Sequence, residues 1–433
     1  MFSKSEAEWQ WADEYVFPLQ TIIASERGRY VVASRGLSPG ELIWAEQPFS
    51  HVTDEKRCQA CYRSLVPPQS AHFSCKRCAQ PCFCSSRCHT SGASDHAAEC
   101  EIIQNIAAAQ GASDAILSAA RGLRVFFRLL NRVHTQPTAF SKVEASLQEH
   151  YSDAPADEQQ CLDAMAGMIN RLVPSSLRME EKRLAKLVSR VNTNGFAVAD
   201  PAGTQLGSAL YPRAAVRFNH SCVPTAVVSF HGSTLRLHAL RRIARGEEVS
   251  IPYTELTASR AERQASLKAA YGFDCSCPRC VSPPSADAEL DGWRCSGCTA
   301  NGEVAPGQSA CSQCGAAHVL SSHQRAAMEA HWRQSLDEVA AGLGSSQQAS
   351  ERVQQATARL LATTEEHLCG RHVLRIRARR LLAHALGELP QTSKALLCSA
   401  IERCLEDRRV FRPPGHPGIV YYEQWLARAQ RRG

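Results

Sequence analysis

The sequence predicts an α+β fold in which one β domain is interrupted by a zinc-binding segment and a helical insert. Three observations lead to this prediction. Short β-branched runs joined by glycine turns occupy residues 21 to 52 and return after residue 191, helical periodicity fills residues 101 to 190, and cysteine pairs recur at metal-ligand spacing. The two groups of strands therefore belong to one domain that the intervening segments divide.

The composition is that of a globular protein. Hydrophobic residues make up 44% of the 433 residues and charged residues 21%, which is ample for a large core. The first residues, "MFSKSEAEWQWADEY", are too acidic for a signal peptide, and no uncharged apolar run approaches the length of a membrane span. We expect an intracellular protein of the cytoplasm, the nucleus or both, with no membrane partner. The net charge of +7 is spread over the chain and selects no partner by itself.

The segments follow one another in an order that the patterns define. Strand-like runs such as "ELIWAEQPF" come first, "EKRLAKLVSRV" typifies the helical insert, and "TAVVSF", "TLRLHAL" and "EEVSIPY" mark the returning strands. Helical periodicity resumes near residue 318 as short amphipathic helices that would suit a helical repeat. The predicted segments are 1–55 (first strands), 56–100 (zinc finger), 101–190 (helical insert), 191–256 (strand core), 257–282 (second zinc segment), 292–316 (four-cysteine ribbon) and 318–433 (C-terminal helices).

Cysteine is the most informative residue type. Twenty cysteines in a chain without a secretory signal are expected to be reduced thiols. Eight soft ligands within the finger segment fit two tetrahedral zinc ions, because each ion takes four thiolates or imidazoles and a short Cys-x-x-Cys turn supplies two of them. The eight are Cys58, Cys61, Cys75, Cys78, Cys84, Cys88, His96 and Cys100.

Two further cysteine clusters predict two further structural zinc sites. The segment "FDCSCPRC" supplies Cys275, Cys277 and Cys280, which leaves a zinc one ligand short. Cys222, in the distant stretch "RFNHSCVPT", is the natural fourth ligand. The segments "WRCSGC" and "CSQCG" form a compact zinc-ribbon pattern, with ligands Cys295, Cys298, Cys311 and Cys314.

Several motifs in a fixed order resemble a known family. The runs "VVASRGLSPGELIWAEQPF", "NTNGFAV", "LYP", "FNHSCVPT", "IARGEEVSIPY" and "YGFDCSCPRC" are similar to the successive motifs of a SET domain with its post-SET zinc segment. The finger, with two Cys-x-x-Cys pairs, "FCSSRC" and His-x-x-x-Cys, resembles a MYND zinc finger. Over residues 20 to 281 the chain therefore looks like a SET and MYND domain protein-lysine methyltransferase.

The resemblance implies a cofactor and a set of site residues. In this family the finger binds its zincs in an interleaved manner, so that Cys58, Cys61, Cys84 and Cys88 would hold one ion and the other four ligands the second. The methyl donor would be S-adenosylmethionine. By this resemblance, Arg27, Gly28 and Arg29 would form the loop that folds against the donor, and Asn194 would contact the amino acid end of the donor. Asn219 and His220 would contact its adenine ring. Tyr253 would be the catalytic residue and Phe273 would line the lysine channel, and both would also border the donor.

These roles imply a protein-lysine N-methyltransferase that acts on a histone or non-histone protein. Asparagine and histidine together can read an adenine edge without introducing a charge. A different class remains open, a catalytically weak or inactive adaptor whose finger and C-terminal helices bind proline-rich or other peptides. The finger is also basic, which admits a nucleic-acid contact, although a solvated face is the favoured interpretation of this charge. The basic residues are Lys56, Arg57, Arg63, Lys76, Arg77 and Arg87.

Overall fold

The structure, a computed structural model, describes two compact units. Unit 1 comprises Met1–Asn219, Thr225–Ile251 and Ala270–Gly272, and unit 2 comprises His220–Pro224, Pro252–Ala269 and Phe273–Gly433. The boundary separates the chain neighbours Asn219 and His220. The described residues within these units are 17–24, 28–54, 56–65, 73–78, 82–108, 122–201, 203–282, 287–298, 302–305, 307–341, 343, 346–412 and 415–431.

Among the described residues outside the finger, the short strands of unit 1 form three antiparallel sheets, and β9 and β12 form a further two-stranded sheet. Strand β11 shows why they form, since its alternate residues Leu235, Leu237 and Ala239 are buried while the residues between them are partly exposed. The sheets have the orders β1-β2, β10-β11-β3 and β4-β8-β7. The strands are β1 (Leu19–Ala24), β2 (Gly28–Ala33), β3 (Leu42–Glu46), β4 (Ser50–Thr53), β5 (Phe73–Ser74) and β6 (Cys82–Phe83) in the finger, β7 (Gly195–Ala199), β8 (Gln205–Leu210), β9 (Asn219–His220), β10 (Ala226–His231), β11 (Thr234–Ala239) and β12 (Ser250–Ile251).

Among the described residues, helices of unit 1 pack around a large apolar core. Helix α5 places Leu184, Leu187, Val188 and Val191 on one buried face, as the 3.6-residue period requires. Residues 109–121 of the predicted helical insert lie outside the described residues. The helices are α1 (Ser86–Ala108), α2 (Arg124–Thr135), α3 (Pro137–Ser146), α4 (Ala156–Leu172), α5 (Glu181–Asn194) and α6 (Pro212–Ala215), with 3₁₀ turns at Tyr151–Asp153 and Ser175–Leu177.

Unit 2 is mostly helical. Consecutive helices of its C-terminal part pack on one another around two apolar clusters, one centred on Trp332 and Leu374 and the other on Ile401 and Tyr422. The helices are α7 (Arg260–Tyr271, whose last two residues belong to unit 1), α8 (Pro278–Val281), α9 (Ala288–Asp291), α10 (Ser322–Ala341), α11 (Gln347–Glu365), α12 (Val373–Glu388), α13 (Lys394–Phe411) and α14 (Pro417–Gln430).

The four-cysteine ribbon is fixed to these helices through Trp293. This residue begins strand β13 (Trp293–Arg294), which pairs with β14 (Glu303–Val304). Its ring stacks on Trp332 at 5.8 Å, and its Nε1 donates to Glu329 at 2.6 Å. Aromatic stacking and a satisfied indole N–H both favour burial of the ring. The mixture of strands, finger, ribbon and helices confirms the predicted α+β class.

Candidate functional site

The structure brings the predicted metal ligands together in four groups. Within each group the sulfur and imidazole nitrogen atoms all lie within 4.8 Å of one another. The first two groups are the interleaved ones that the family resemblance implies, and Cys222 joins the three cysteines of the post-SET segment. The groups are Cys58, Cys61, Cys84 and Cys88; Cys75, Cys78, His96 and Cys100; Cys222, Cys275, Cys277 and Cys280; and Cys295, Cys298, Cys311 and Cys314.

The distances within the groups fit a tetrahedral zinc ion. A Zn–S bond of about 2.3 Å places two sulfurs of a tetrahedron about 3.8 Å apart. The Sγ atoms of Cys61 and Cys84 are 3.6 Å apart, and the Cys222 and Cys280 sulfurs are 3.5 Å apart. These separations are far too long for a disulfide bond. Closed sets of four protein ligands are typical of structural zinc rather than of catalytic zinc.

In the finger, the second group is supported by a buried carboxylate. His96 and Cys100 lie one turn apart on helix α1, and Glu99 between them is fully buried. The His96 Nδ1 and the Glu99 Oε1 are 3.8 Å apart, while His96 Nε2 faces Cys78 at 3.5 Å. A carboxylate behind a ligating histidine fixes the orientation of the ring. The side chains therefore match a zinc ion held through Nε2.

Glu99 is in turn held by two arginines of helix α2. Arg124 and Arg128 each donate to both Glu99 oxygens, at distances from 2.7 to 3.2 Å. Burial alone raises the pKa of Glu99, but the charges of Arg128 and Arg124 outweigh it and hold the pKa well below its usual range. Arg124 also donates to the side chain of Gln59, which lies between Cys58 and Cys61. One guanidinium thus contacts neighbours of both zinc groups of the finger.

The post-SET group has a buried counter-charge. Arg263 is fully buried, and its Nη2 lies 3.8 Å from the Cys280 sulfur and 2.6 Å from Asp287. Four thiolates around Zn²⁺ carry a net negative charge, which a neighbouring guanidinium offsets. Gln264 clamps the segment by bonding both the N–H and the C=O of Cys275.

The ribbon requires glycine at position 302. A Cβ built there would lie 2.7 Å from the Cys311 sulfur and closer still to that of Cys298. The two sulfurs themselves are 3.6 Å apart, so neither can move away from an added Cβ without leaving the ligand group. The backbone of Gly302 therefore closes one side of the fourth ligand group.

Gly302→Ala is expected to lower the zinc content by one ion per chain, because the added methyl displaces two of the four ligands. Metal analysis by mass spectrometry checks this. Gly370→Ala is the matched control, since a Cβ at Gly370 meets no atom of the described residues within 4 Å. A Gly302→Ala protein with the metal content of the wild type would contradict the assignment of the ribbon as a zinc site.

On unit 1, the structure brings Asn219 and Arg29 together. The Asn219 Nδ2 donates to the backbone oxygen of Arg29 and to Glu248, both at 3.2 Å. Within the described part of the chain its Oδ1 receives no hydrogen bond, so the side chain keeps an acceptor available. Gly28, which precedes Arg29, has a φ of 67°, a conformation that favours glycine. Arg27 lies outside the described residues.

Asn194, for which the resemblance implies a donor contact, makes hydrogen bonds to the backbone with both atoms of its side-chain amide. Its side chain is buried at the end of helix α5 and is fully engaged with the backbone. Its Nδ2 donates to the carbonyl oxygens of Gln148 and Arg190, both at 2.8 Å, and its Oδ1 accepts from Gln148 N at 3.3 Å. The amide therefore joins helix α5 to the loop after α3, and a contact with a donor would have to replace one of these bonds.

On unit 2, His220, Tyr253 and Phe273 form an aromatic cluster. The His220 ring lies 5.5 Å from the Tyr253 ring and 6.1 Å from the Phe273 ring. The Tyr253 N–H donates to His220 Nδ1 at 2.9 Å, which assigns the ring proton to Nε2, 3.2 Å from the Cys222 sulfur. Burial, followed by the charge of Arg263, lowers the pKa of His220 to about 4, so the ring is neutral at physiological pH. His220 thus ties Tyr253 to the metal group.

Sequence reasoning missed the residues that support these groups. Glu99 could have been noticed because it stands between two ligands on one helix. Arg124 and Arg263 gave no signal, because an arginine in a helical segment is ordinarily solvent-exposed. Their burial depends on carboxylates that are distant in sequence.

The comparison with known proteins establishes the family. The sequence model described as "SET domain" matches residues 28–254, just over half of the 433 residues. The chain belongs to the SET domain family, as its motifs predicted.

The individual relatives are lysine methyltransferases by name. This chain is 26% identical over 272 residues to N-lysine methyltransferase SMYD2-B of Xenopus laevis, covering 61% of each protein. It is 26% identical over 288 residues to histone-lysine N-methyltransferase ASHR1 of Arabidopsis thaliana, covering 62% of this chain and 57% of the relative. It is 25% identical over 277 residues to histone-lysine N-methyltransferase SMYD3 of Homo sapiens, covering 63% of each. The chain spans about three fifths of the length of these relatives.

Proposed function

We propose that this protein is an S-adenosylmethionine-dependent protein-lysine N-methyltransferase that acts on a histone or non-histone protein. The observation that supports this most directly is the cluster of His220, Tyr253 and Phe273 within the SET motifs, where two aromatic rings and one hydroxyl stand beside a neutral imidazole. S-adenosylmethionine supplies an electrophilic methyl group when bound. The names of the relatives agree with this reaction.

The chain's contribution to the chemistry is to present a neutral lysine amine. A lysine side chain has a pKa near 10.4, so deprotonation at neutral pH costs about 4 kcal/mol. Apolar walls disfavour the ammonium form and reduce this cost. Tyr253 and Phe273 are the proposed walls. The Tyr253 hydroxyl would orient the amine for in-line attack, because positioning of the reacting groups lowers the barrier.

For the methyl donor, the hydrogen-bonding capacity of each residue decides its proposed role. Asn219 keeps a carbonyl acceptor, which fits the amino group of an adenine. Both His220 nitrogens are engaged by Tyr253 N and by the Cys222 sulfur, so His220 would offer the face of its ring. Arg27, Arg29 and Asn194 are proposed to have the roles implied by the family, and Asn194 also fixes the loop at Gln148.

The four ligand groups are proposed to hold four structural zinc ions. We also propose a polypeptide substrate containing lysine, peptide partners for the finger, and a location in the cytoplasm or nucleus, where twenty cysteines would stay reduced. Among the described residues, no helix combines the length and apolar character that a membrane crossing demands. The basic face of the finger is proposed to be solvated rather than to bind nucleic acid.

The proposal is tested by transfer of labelled methyl groups from S-adenosylmethionine to nuclear and cytosolic extracts. Donor affinity is measured by calorimetry on the same preparation. Asn219→Ala is expected to weaken donor binding about tenfold, because it removes one hydrogen bond to the ligand, and to leave the zinc content unchanged.

Asn131→Ala is the control, since it also removes an asparagine side-chain amide, but from helix α2. Wild-type affinity in Asn219→Ala would exclude Asn219 from the donor site. A protein that binds no donor and labels no polypeptide would instead favour the adaptor class.

A further inference from the structure

A cavity of about 180 Å³ lies among the helices of unit 2. One side is formed by the segment that follows Tyr253, beginning with Glu255 and Thr257. The other sides are formed by helices α10, α12 and α13. The charged residues that line it are Glu255, Glu262, Arg333, Arg377, Arg380, Asp407 and Arg408.

The carboxylates of this cavity are already neutralised. Each of the three lining carboxylates forms an ion pair with an arginine, and the lining residue Arg377 forms a fourth ion pair with Asp337, which lies outside the lining. The pairs are Glu255 with Arg412 at 2.9 Å, Asp407 with Arg379 at 2.7 Å, Glu262 with Arg333, and Asp337 with Arg377.

Two further arginines that line the cavity form no contact ion pair with a carboxylate of the described residues, although the charge of Arg380 helps to lower the pKa of Glu255 from a longer distance. In the described part of the chain, Arg380 forms neither a hydrogen bond nor an ion pair. Arg408 is 8% exposed, and the side-chain hydrogen bond and the ring contact that it makes among the described residues are both with Tyr422, with its Nη2 3.4 Å from the hydroxyl and its guanidinium 4.5 Å from the ring centroid. A buried cation without a counter-charge is unfavourable. An anion entering the cavity would supply the missing charge.

The cavity begins close to the proposed catalytic residue. Glu255 follows Tyr253 by two residues, so their Cα atoms are at most about 7 Å apart. Both residues belong to unit 2. The side chains that neighbour a lysine bound at Tyr253 would therefore lie within a few residues' reach of Glu255, which lines the cavity.

We propose that the cavity binds an acidic side chain of the polypeptide substrate, a few residues from the target lysine. The inference rests on the proposed methyltransferase function and names a feature of its substrate. A carboxylate can accept charge-assisted hydrogen bonds from Arg380 and Arg408, and guanidinium groups match the planar geometry of a carboxylate. The protein would thereby select substrates by an acidic side chain in the cavity as well as by the lysine at Tyr253.

The test uses two short synthetic peptides with one central lysine, flanked on both sides by glutamates in one and by glutamines in the other. The wild-type protein is expected to bind the glutamate peptide about tenfold more tightly, since a hydrogen bond to a charged group contributes that much. Arg380→Gln is expected to abolish this preference. It is expected to fold normally, because Arg380 has no hydrogen bond or contact ion pair to lose within the described residues, and Glu255 keeps its ion pair with Arg412. Arg359→Gln, which removes an exposed arginine from helix α11, is expected to retain the preference.

Equal affinity of the wild type for the two peptides, or a preference that survives in Arg380→Gln, would overturn the proposal. Inorganic phosphate that binds the wild type without any preference between the peptides would identify the cavity as a site for a small free anion and would also overturn it. Methyl transfer is measured on the same preparations. Transfer without a charge preference would refute only the acidic-side-chain proposal, whereas a preference without transfer to any polypeptide would refute the methyltransferase.

Discussion

Removal of zinc by a chelator is expected to unfold the finger, the post-SET segment and the ribbon. A structural zinc site contributes about 10 to 16 kcal/mol of apparent binding free energy, as much as the whole stability of a typical domain. Metal analysis of the native protein should find four zinc ions per chain, and circular dichroism and hydrogen exchange should report the loss of structure on chelation. Fewer than four zinc ions per chain would contradict at least one assignment.

Two cysteine variants separate metal binding from the general loss of a thiol. Cys222→Ser is expected to lose one zinc per chain and to release the contact between His220 and the metal group. Cys161→Ser is the control, because Cys161 is exposed on helix α4 and lies outside all four groups. Equal zinc content in the two variants would remove Cys222 from the ligand set.

Tyr253→Phe is expected to lower methyl transfer by about a hundredfold or more, which is typical of a lost positioned polar group. The ring and its contact with His220 remain, so the aromatic wall is preserved. Donor affinity should change little, because the hydroxyl is proposed to act on the amine in the transition state. The measurements are single-turnover methyl transfer and donor calorimetry.

Tyr421→Phe, which removes a hydroxyl from helix α14, serves as the control for this variant. Unchanged transfer in Tyr253→Phe would refute the proposed role of the hydroxyl. A joint loss of transfer and donor binding would indicate a packing defect and would equally count against that role. If the protein is instead an inactive adaptor, the wild type is expected to transfer no methyl groups.

The ligand groups were accessible from the sequence because a Cys-x-x-Cys turn fixes two ligands locally. The spacing does not show which cysteine pairs share one zinc ion. The three cysteines of "FDCSCPRC" leave a tetrahedral zinc one ligand short, so a fourth ligand was expected. Cys222 fills that position in the structure. The aromatic cluster could be anticipated only through the family resemblance, since nothing in the spacing of His220, Tyr253 and Phe273 requires their rings to meet.

The charged side chains of the interior could not be predicted. Whether an arginine is buried depends on carboxylates that arrive from other elements, as Asp287 does for Arg263. The local sequence pattern around an arginine does not show which carboxylate will lie beside it in the fold. The role of Asn194 was equally hidden, because its backbone partner Gln148 lies 46 positions away along the chain. Sequence motifs identified the residue, and only the fold shows what its amide holds.

The buried arginines of helix α2 make the finger inseparable from the rest of unit 1. Arg124 and Arg128 bond Glu99, and Arg132 pairs with Asp95 at 2.8 Å. Both carboxylates come from the finger. Breaking one buried ion pair costs about 3 to 5 kcal/mol, so excising residues 56–100 would strand three guanidinium charges in the interior. Although the finger is an insertion in sequence, it is not a portable module, and exchanging it for a finger without these two acids would require compensating changes on helix α2.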